Sequence, residues 1–334
     1  MIWDVHAHLA GVGAPRTGNY LAPRFRRSFA CRRFMHHLGL RPEIWDAPDC
    51  DERVARVVVD QINASRVHRV VLLALDAAYN DDGSRDDQRT LMVTDNDFVA
   101  GIAASNDKIL FGASIHPARR DALPELERLI AKGACLVKWL PGAQNIQPDH
   151  PRCFPFYEML AKHRVPLLCH TGGEHTLKAF PDSLNDPRRL VPALERGVTV
   201  IAAHCGVNLY LHENSYFDAW REMALRYERF YGDLSAFGVM TRIWRLRTLY
   251  HAPRLMDKCV FGSDFPATPL PLSCLGMVGL RAALRVRRCA NLFDRSAELL
   301  RGARVPDSVF ARAAGLLRIP EHKQPCAALA EVPA

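Results

Sequence analysis

The sequence of 334 residues has neither closely paired cysteines nor a long apolar run. The ten cysteines form no Cys-x-x-Cys pair and lie mostly inside apolar segments, which is typical of reduced thiols and not of a disulfide framework or a structural zinc site. No apolar run is long enough to cross a bilayer, and a strand begins too early to leave room for a signal peptide. These absences indicate a cytoplasmic protein without a membrane span.

The composition that is present is that of a folded protein, with 49% hydrophobic and 24% charged residues. The formal charge of +8 and the pI near 9.1 come mainly from scattered arginines. Such a surface can attract acidic substrates, but scattering favours a solvated exterior over a nucleic-acid site. Because no composition shift marks a boundary, we expect one domain over residues 1–319 and a loose tail over residues 320–334. The sequence does not determine the oligomeric state, and a homo-oligomer is one of the possibilities.

Eight short apolar runs alternate with helical segments along the chain. The runs cover residues 3–9, 67–76, 109–116, 134–140, 165–170, 198–204, 230–235 and 259–264. Helices are predicted over residues 29–38, 51–65, 91–105, 119–131, 154–163, 187–196, 216–229, 240–251, 280–290 and 296–317. Apolar strands joined by helices form parallel sheets, and eight of them favour an α/β fold with a single (β/α)8 TIM-type barrel over an open sheet. The extended loop over residues 10–48 is too long for an ordinary connection and is expected to form a lid.

Two histidines lie two residues apart in the first run, which reads DVHAHL over residues 4–9. Strand side chains alternate between the two faces, so Asp4, His6 and His8 are expected to face inward and Val5 outward. Both imidazoles can then reach one metal ion. Taken alone, the pair is also typical of an edge strand with two solvated histidines.

Polar residues end four of the other runs at one rim of the predicted barrel, where TIM barrels have their active sites. They are Lys138 on the fourth run, His170 on the fifth, His204 on the sixth and Asp264 on the eighth. A buried ionisable group costs free energy unless it is paired or bound to a metal. Packing alone does not account for such a set, so the sequence predicts a metal site.

Four motifs resemble signatures of the amidohydrolase superfamily, in its amidohydrolase-related branch. They are DVHAHL at 4–9, LCHTG at 168–172, AHCG at 203–206 and FGSDFP at 261–266. The resemblance spans nearly the whole chain and implies a distorted barrel with one or two divalent metal ions, usually zinc. It also implies that His6, His8, His170, His204 and Asp264 match the family's metal-site residues.

Lys138 has two interpretations. In binuclear relatives, as the resemblance implies, a fourth-strand lysine is carbamylated and bridges two metal ions, whereas mononuclear relatives lack this bridge. The other interpretation is a lysine that binds an acidic substrate or pairs with a carboxylate. The choice between one and two metal ions therefore stays open at this point.

The predicted residue types suit hydrolysis for reasons that do not depend on a family. Neutral imidazoles bind zinc at about 2.0 to 2.1 Å and leave a position for water, whose pKa the ion lowers to roughly 7. Asp264 can accept the proton of that water and pass it to the leaving group. We therefore expect a metal-dependent hydrolase of a small-molecule amide, lactone or ester, with Asp264, His204 and Lys138 as catalytic residues.

Two other reactions are compatible with the motifs. Some members of the same branch are non-oxidative decarboxylases, which use the metal site to protonate carbon. A TatD-type nuclease also begins with a His-x-His pair and would suit the basic charge, but such enzymes have glutamate where this chain has Lys138. The sequence does not disclose the substrate, because pocket-lining loops determine it.

Weaker candidates follow three of the strands. His116 ends the third run and is as well explained by a structural role as by contact with substrate. Gln144 and Asn145 follow the fourth run and are candidates for substrate contact. Glu174 and His175 follow the fifth run, where a solvated loop is the favoured interpretation over a position in the pocket.

Overall fold

The structure, a computed structural model, describes residues 1–210, 215–239, 242–270 and 274–323. Its main sheet has eight parallel strands: β1 Trp3–His8, β2 Arg69–Leu73, β3 Ile109–Ala113, β4 Leu136–Trp139, β5 Leu167–His170, β6 Val200–Ala203, β7 Phe230–Asp233 and β8 Cys259–Val260. The seam between β8 and β1 is bridged by the backbone, since Val5 N donates to Phe261 O and His8 N donates to Phe265 O. The predicted barrel is confirmed.

Helices cover the outside of the barrel, and shorter helices lie within the connections between strands and helices. They are α1 Pro23–Arg26, α2 Phe29–His37, α3 Cys50–Ala64, α4 Asn96–Ala104, α5 Ala122–Ala131, α6 Pro141–Gln144, α7 Phe154–Lys162, α8 Val191–Glu195, α9 Phe217–Arg226, α10 Leu246–Tyr250, α11 Pro253–Met256, α12 Leu275–Arg288, α13 Leu292–Gly302 and α14 Asp307–Ala311. Among the residues described, no helix is both long and apolar enough to cross a bilayer.

Several predicted helix boundaries are wrong for identifiable reasons. The helix predicted over 296–317 is two helices, because Arg304 adopts a left-handed φ of 61° and Pro306 follows it. The helix predicted over 91–105 begins only at Asn96, since the Asp95 side chain accepts the N–H of Phe98 as an N-cap. The helix predicted over 280–290 corresponds to the second part of α12, which is broken at Gly279, where φ is 73°. The one predicted over 240–251 starts outside the described residues, and its described part contains α10.

The first strand contains a bulge that the alternating pattern did not predict. Its pairing with β2 shifts register between Asp4 and Ala7. Trp3 and Val5 consequently pack inside the barrel, with residues from other strands such as Leu136. The expectation that Asp4 faces inward and Val5 outward is therefore wrong. A bulge adds one residue to a strand and so changes which side chains face the same way beyond it.

The long segment after β1 is held to the barrel by one buried carboxylate. Asp51, on α3, accepts the backbone N–H groups of Val12 at 2.5 Å and Ala14 at 2.7 Å, and the Thr17 hydroxyl at 2.5 Å. The segment contains α1 and α2 and also pairs a short strand, Tyr20–Leu21, with Met92–Val93. These contacts fix the segment as an ordered wall beside the end of β1.

The described part of the predicted tail is anchored beneath the barrel. Lys323 is buried, and its Nζ donates to the carbonyls of Ala103, Asn106 at 2.9 Å and Ile109 at 2.6 Å. None of the nine cysteines within the described part of the chain forms a disulfide there. Residues 324–334 of the predicted tail lie outside the described residues.

Candidate functional site

Three of the predicted ligands converge at the carboxyl end of the barrel. One donor atom from each of His6, His8 and Asp264 lies within 4.8 Å of the others. The Nε2 atoms of the two histidines are 3.0 Å apart, and Asp264 Oδ1 is 3.4 Å from each of them. The bulge in β1 and the segment after β8 therefore bring residues about 260 positions apart in the chain into one cluster.

Asp233, at the end of β7, fixes the orientation of His6. The carboxylate is fully buried and its Oδ2 accepts the Nδ1–H of His6 at 2.8 Å. With the proton on Nδ1, the lone pair of His6 lies on Nε2, toward the cluster. A carboxylate that holds the far nitrogen of an imidazole in this way is the usual support of a metal-binding histidine. Asp233 also accepts the N–H of His204 at 2.8 Å.

Lys138 lies against the same lone pair. Its side chain is fully buried, and its Nζ is 3.0 Å from His6 Nε2. Burial, opposed by the charges of Asp233 and Asp264, lowers the pKa of Lys138. Burial and the Lys138 charge together hold the pKa of His6 well below its ordinary value, so His6 is neutral at pH 7. A divalent ion and the Lys138 ammonium would compete for one lone pair on His6.

His204 and His170 extend the cluster on its other side. The His204 Nδ1–H donates to Ser235 O at 3.1 Å, which leaves the Nε2 lone pair to face the pocket. Burial holds the pKa of His204 well below its usual value. The His170 ring lies 5.1 Å from the His204 ring, centre to centre, and its buried Nε2 has no hydrogen-bond partner. An unpartnered buried nitrogen beside other imidazoles is a donor that a cation would satisfy.

Left-handed backbone positions two of these residues. Both His204 and Asp264 have left-handed φ angles, 59° and 58° respectively, which are uncommon for residues with a Cβ, although aspartate and histidine adopt them more readily than most. The Asp264 N–H donates to His6 O at 2.8 Å. Although burial would raise the pKa of Asp264, its interactions with His6, His8 and Arg242 outweigh burial and hold the pKa below the ordinary range.

A pocket of about 380 Å³ opens over these residues. Its polar wall includes His8, His170, Glu174, His204 and Asp264, together with Arg33 and Arg242. Its apolar wall includes a group of residues from the segment after β1: Val12, Leu21, Phe25, Phe34, Met35, Leu38, Leu40 and Trp45. The segment expected to form a lid thus lies beside the pocket and supplies many of its apolar lining residues.

Comparison with protein families decides which family this site represents. The family model described as amidohydrolase matches residues 3–285, a span that includes every residue of the cluster. The chain belongs to the amidohydrolase family. No curated protein sequence matches this amidohydrolase significantly.

Solved structures with the same fold include hydrolases and lyases. An uncharacterised TIM-barrel protein of Bordetella bronchiseptica has a TM-score of 0.55 at 19% identity, covering 90% of this chain and 99% of its own. 5-carboxyvanillate decarboxylase of Sphingomonas paucimobilis has 0.54 at 14%, covering 96% and 99%. A probable 2-pyrone-4,6-dicarboxylic acid hydrolase of Acinetobacter baumannii has 0.50 at 14%, covering 89% and 98%. At these identities the likeness establishes the barrel of this amidohydrolase.

Three site residues of the amidohydrolase were not singled out from the sequence: Asp233 and Ser235 support His6 and His204, and Arg242 lines the pocket. Glu174 was a weaker candidate, for which a solvated loop was the favoured interpretation. Glu174 is in fact only 5% exposed and lines the pocket, so that interpretation is wrong. A polar alternation at the end of β7, Asp-Leu-Ser over 233–235, was a signal for the first two.

The weaker candidate His116 lies outside the pocket lining, in a buried network. Its Nε2–H donates to Gln144 O at 2.9 Å, and its Nδ1 accepts the N–H of Ala118 at 3.0 Å. Asn145 likewise donates to Tyr79 O at 3.1 Å. These contacts give His116 and Asn145 structural roles outside the pocket lining.

Replacing His116 with glutamine should make stability less sensitive to acid. Burial lowers the pKa of His116 to about 3, whereas an unfolded histidine titrates near 6.5. Between these values only the unfolded chain binds the proton, so stability is complete above pH 6.5 and falls as the pH drops. The loss is at most about 1.4 kcal/mol per pH unit for this group. Urea unfolding of wild type and H116Q at pH 6.5, 5.5 and 4.5 measures how the free energy of unfolding depends on pH in each protein. The same pH dependence in both proteins would contradict the prediction.

Replacing Asp233 with asparagine should weaken metal binding about 10-fold to 100-fold without unfolding the chain. The new amide oxygen can still accept from His204 N and Ser235 N, but its NH2 group would face His6 Nδ1. That arrangement moves the His6 proton to Nε2 and removes the lone pair from the cluster. Titration with Zn²⁺ by calorimetry checks this, with the exposed Asp218→Asn as the control. Equal affinities in D233N and wild type would show that Asp233 does not orient His6.

Proposed function

We propose that this amidohydrolase is a metal-dependent hydrolase of a small-molecule amide, lactone or ester. The observation that carries the proposal is the convergence of His6, His8 and Asp264, of which His8 and Asp264 line the pocket. Their donor atoms are 3.0 to 3.4 Å apart. Zinc bonds of about 2.0 to 2.2 Å place neighbouring tetrahedral ligands roughly 3.4 Å apart. The donor set therefore fits one divalent ion, for which zinc is the proposed identity.

The residues around this position have distinct roles in the proposal. A bound divalent ion would supply positive charge that makes water a nucleophile near neutral pH. Asp264, ionised because its pKa is held low, accepts the proton from the attacking water and returns it to the leaving group. His204 has its Nδ1 proton on Ser235 O, so it acts as a ligand or base through Nε2. Lys138 must leave the lone pair of His6 when an ion binds.

An anionic substrate with an apolar part suits the pocket. Arg33 and Arg242 both line it, and Arg242 is buried beside the cluster. The segment over residues 10–48, which contributes to the apolar wall, carries seven arginines against two acidic residues, Glu43 and Asp46. Positive charge around a pocket concentrates anions and speeds their entry. We therefore propose that the substrate carries a carboxylate and places its apolar part against this wall.

Decarboxylation is a second candidate reaction, and the position of Arg242 favours it. The charge of Arg242 acts on both His204 and Asp264, lowering the pKa of each. A carboxylate paired with Arg242 would therefore lie next to the proposed metal position. In decarboxylation, the carboxylate of the substrate leaves as CO2, and the carbon that carried it is protonated. The two candidates predict different products.

Isotope labelling separates the two reactions. Zinc-loaded protein is incubated in H2¹⁸O with a panel of lactones, esters and amides, each carrying a carboxylate, and with matched aryl carboxylic acids. Hydrolysis predicts an organic product that gains one ¹⁸O with no CO2, whereas decarboxylation predicts CO2 and an organic product without ¹⁸O. Protein treated with a chelator is the control. Turnover that survives complete metal removal would overturn the proposed function.

A further inference from the structure

The pocket is larger than a compact substrate beside His6, His8 and Asp264 requires. It has a volume of about 380 Å³, whereas an apolar protein cavity of roughly 150 Å³ holds one benzene ring. A methylene group takes up about as much space as a water molecule in the liquid, roughly 30 Å³. The pocket therefore has room for roughly a dozen methylene-sized groups. A substrate with one small ring would leave more than half of this volume unfilled.

The end of the pocket at α3 is aliphatic and closed. Val54 and Val58 line it and are 2% and 1% exposed, and their spacing of four residues places them on one face of the helix. Leu21 and Met35, from the segment after β1, line the same pocket and are also buried. We call these four residues the aliphatic arm. Because their side chains carry no N–H, O–H or oxygen atom, the arm favours hydrocarbon over polar groups.

The pocket follows α2 from an exposed end to a buried one. Phe29, at the start of this helix, and Met35, near its end, both line the pocket. The helix rises about 9 Å between these two residues. Phe29 is 73% exposed and Met35 only 9%, so the pocket is open near the start of α2 and enclosed near its end. A space of this shape suits an extended chain better than a compact ring.

We propose that the aliphatic arm binds an unbranched alkyl or acyl chain of the substrate. The inference rests on the proposed metal-dependent function and names its substrate class, an amide, lactone or ester with a chain of roughly six to ten carbons, as the volume allows. Arg33 lines the same pocket and supplies positive charge for a carboxylate that stays outside the arm. Val54 and Val58 set the longest chain accepted, because they close the arm.

Straight-chain monocarboxylates from butanoate to dodecanoate test the arm on the full-length, zinc-loaded protein. Each methylene group that enters the arm leaves water, which should tighten binding about 4-fold. A carboxylate that contacts the metal ion or Arg33 contributes equally for every member of the series, so the change in affinity with chain length reports on the arm alone. Calorimetry should show one bound probe per chain and an affinity that rises up to roughly ten carbons and then levels off.

Replacing Val58 with phenylalanine should shorten the chain that the arm accepts. The larger side chain takes the space of about two methylene groups, so decanoate should bind at least about 10-fold more weakly, while butanoate binds as it does to wild type. Val57→Phe is the matched control, because Val57 lies on the same helix, is half-buried and is outside the pocket lining. Circular dichroism and Tm check the folding of both variants. Val58→Ala enlarges the arm and should move the levelling-off to a longer chain, which tests the arm even if V58F does not fold.

Two results would overturn the inference. One is equal affinity of the wild type for butanoate and decanoate, and the other is the same dependence on chain length in wild type and the folded Val58 variants. Neither result bears on the metal-dependent reaction. Elemental analysis of the same samples gives their metal content. A wild type that binds no metal but keeps the dependence on chain length would overturn the proposed function and leave the aliphatic arm intact, so the two failures are distinguishable.

Discussion

Asp264→Asn should lower turnover by about 10²-fold to 10⁴-fold, the usual contribution of a general base, while the chain stays folded. Its carboxylate lies 3.4 Å from the Nε2 atoms of both His6 and His8, where a nucleophilic water would need to lose its proton. Asparagine has nearly the same shape but cannot accept that proton. It also tolerates the left-handed φ of 58° at this position, since asparagine and aspartate adopt that region more readily than most residues.

For this variant, both the turnover rate on one identified substrate and the melting temperature are measured and compared with the wild-type values. The exposed Asp257→Asn is a suitable control, because its side chain is 75% exposed and lies away from the pocket lining. We expect D264N to lose rate with little change in Tm, and D257N to change neither. Near wild-type turnover by D264N with metal bound would show that another group accepts the proton.

Replacing His6 and His8 together with alanine should abolish stoichiometric metal binding at the cluster of His6, His8 and Asp264. The change removes two of three donors that lie within 4.8 Å of one another, and Asp264 alone cannot hold an ion against water. Loss of the metal should remove all metal-dependent turnover, the largest effect we expect from any substitution. Elemental analysis of the purified variant measures the bound ion directly.

The double variant carries a folding risk that a second variant avoids. Removing His6 leaves Asp233 and Lys138 buried without their partner, and an unpaired buried charge costs several kcal/mol. His8 is 23% exposed, so His8→Ala alone should fold and still weaken zinc binding at least about 10-fold. His36, exposed on α2, gives the matched control H36A. Full metal content in folded H8A would contradict the assigned ligand set.

The barrel and the chemically distinctive strand ends were predictable from the sequence. Each strand is a short apolar run, and a polar residue such as His170 or Lys138 at the end of such a run contrasts with its neighbours. The parallel arrangement then brings these ends to one rim, whatever their separation in the chain. The positions of these strand ends follow from local sequence patterns and the number of strands, so they are predictable before any tertiary contact is known.

Other features depend on contacts that no local pattern shows. Asp4 was expected to face inward, but its Oδ1 accepts the N–H groups of His6 and Ser263, and the bulge reverses the alternation. Asp233 acquires its role from His6, which is 227 residues away in the chain. Glu174 looks like a polar loop residue until the fold buries it beside His170.

The number of divalent ions bound to the purified wild-type chain tests the central claim most directly. Elemental analysis before and after dialysis against a chelator, with turnover measured on the same samples, gives this number. We expect at least one equivalent of zinc or another divalent ion per chain. Turnover should fall with the metal and return when the ion is restored. Metal-free protein that retains full turnover would contradict the account.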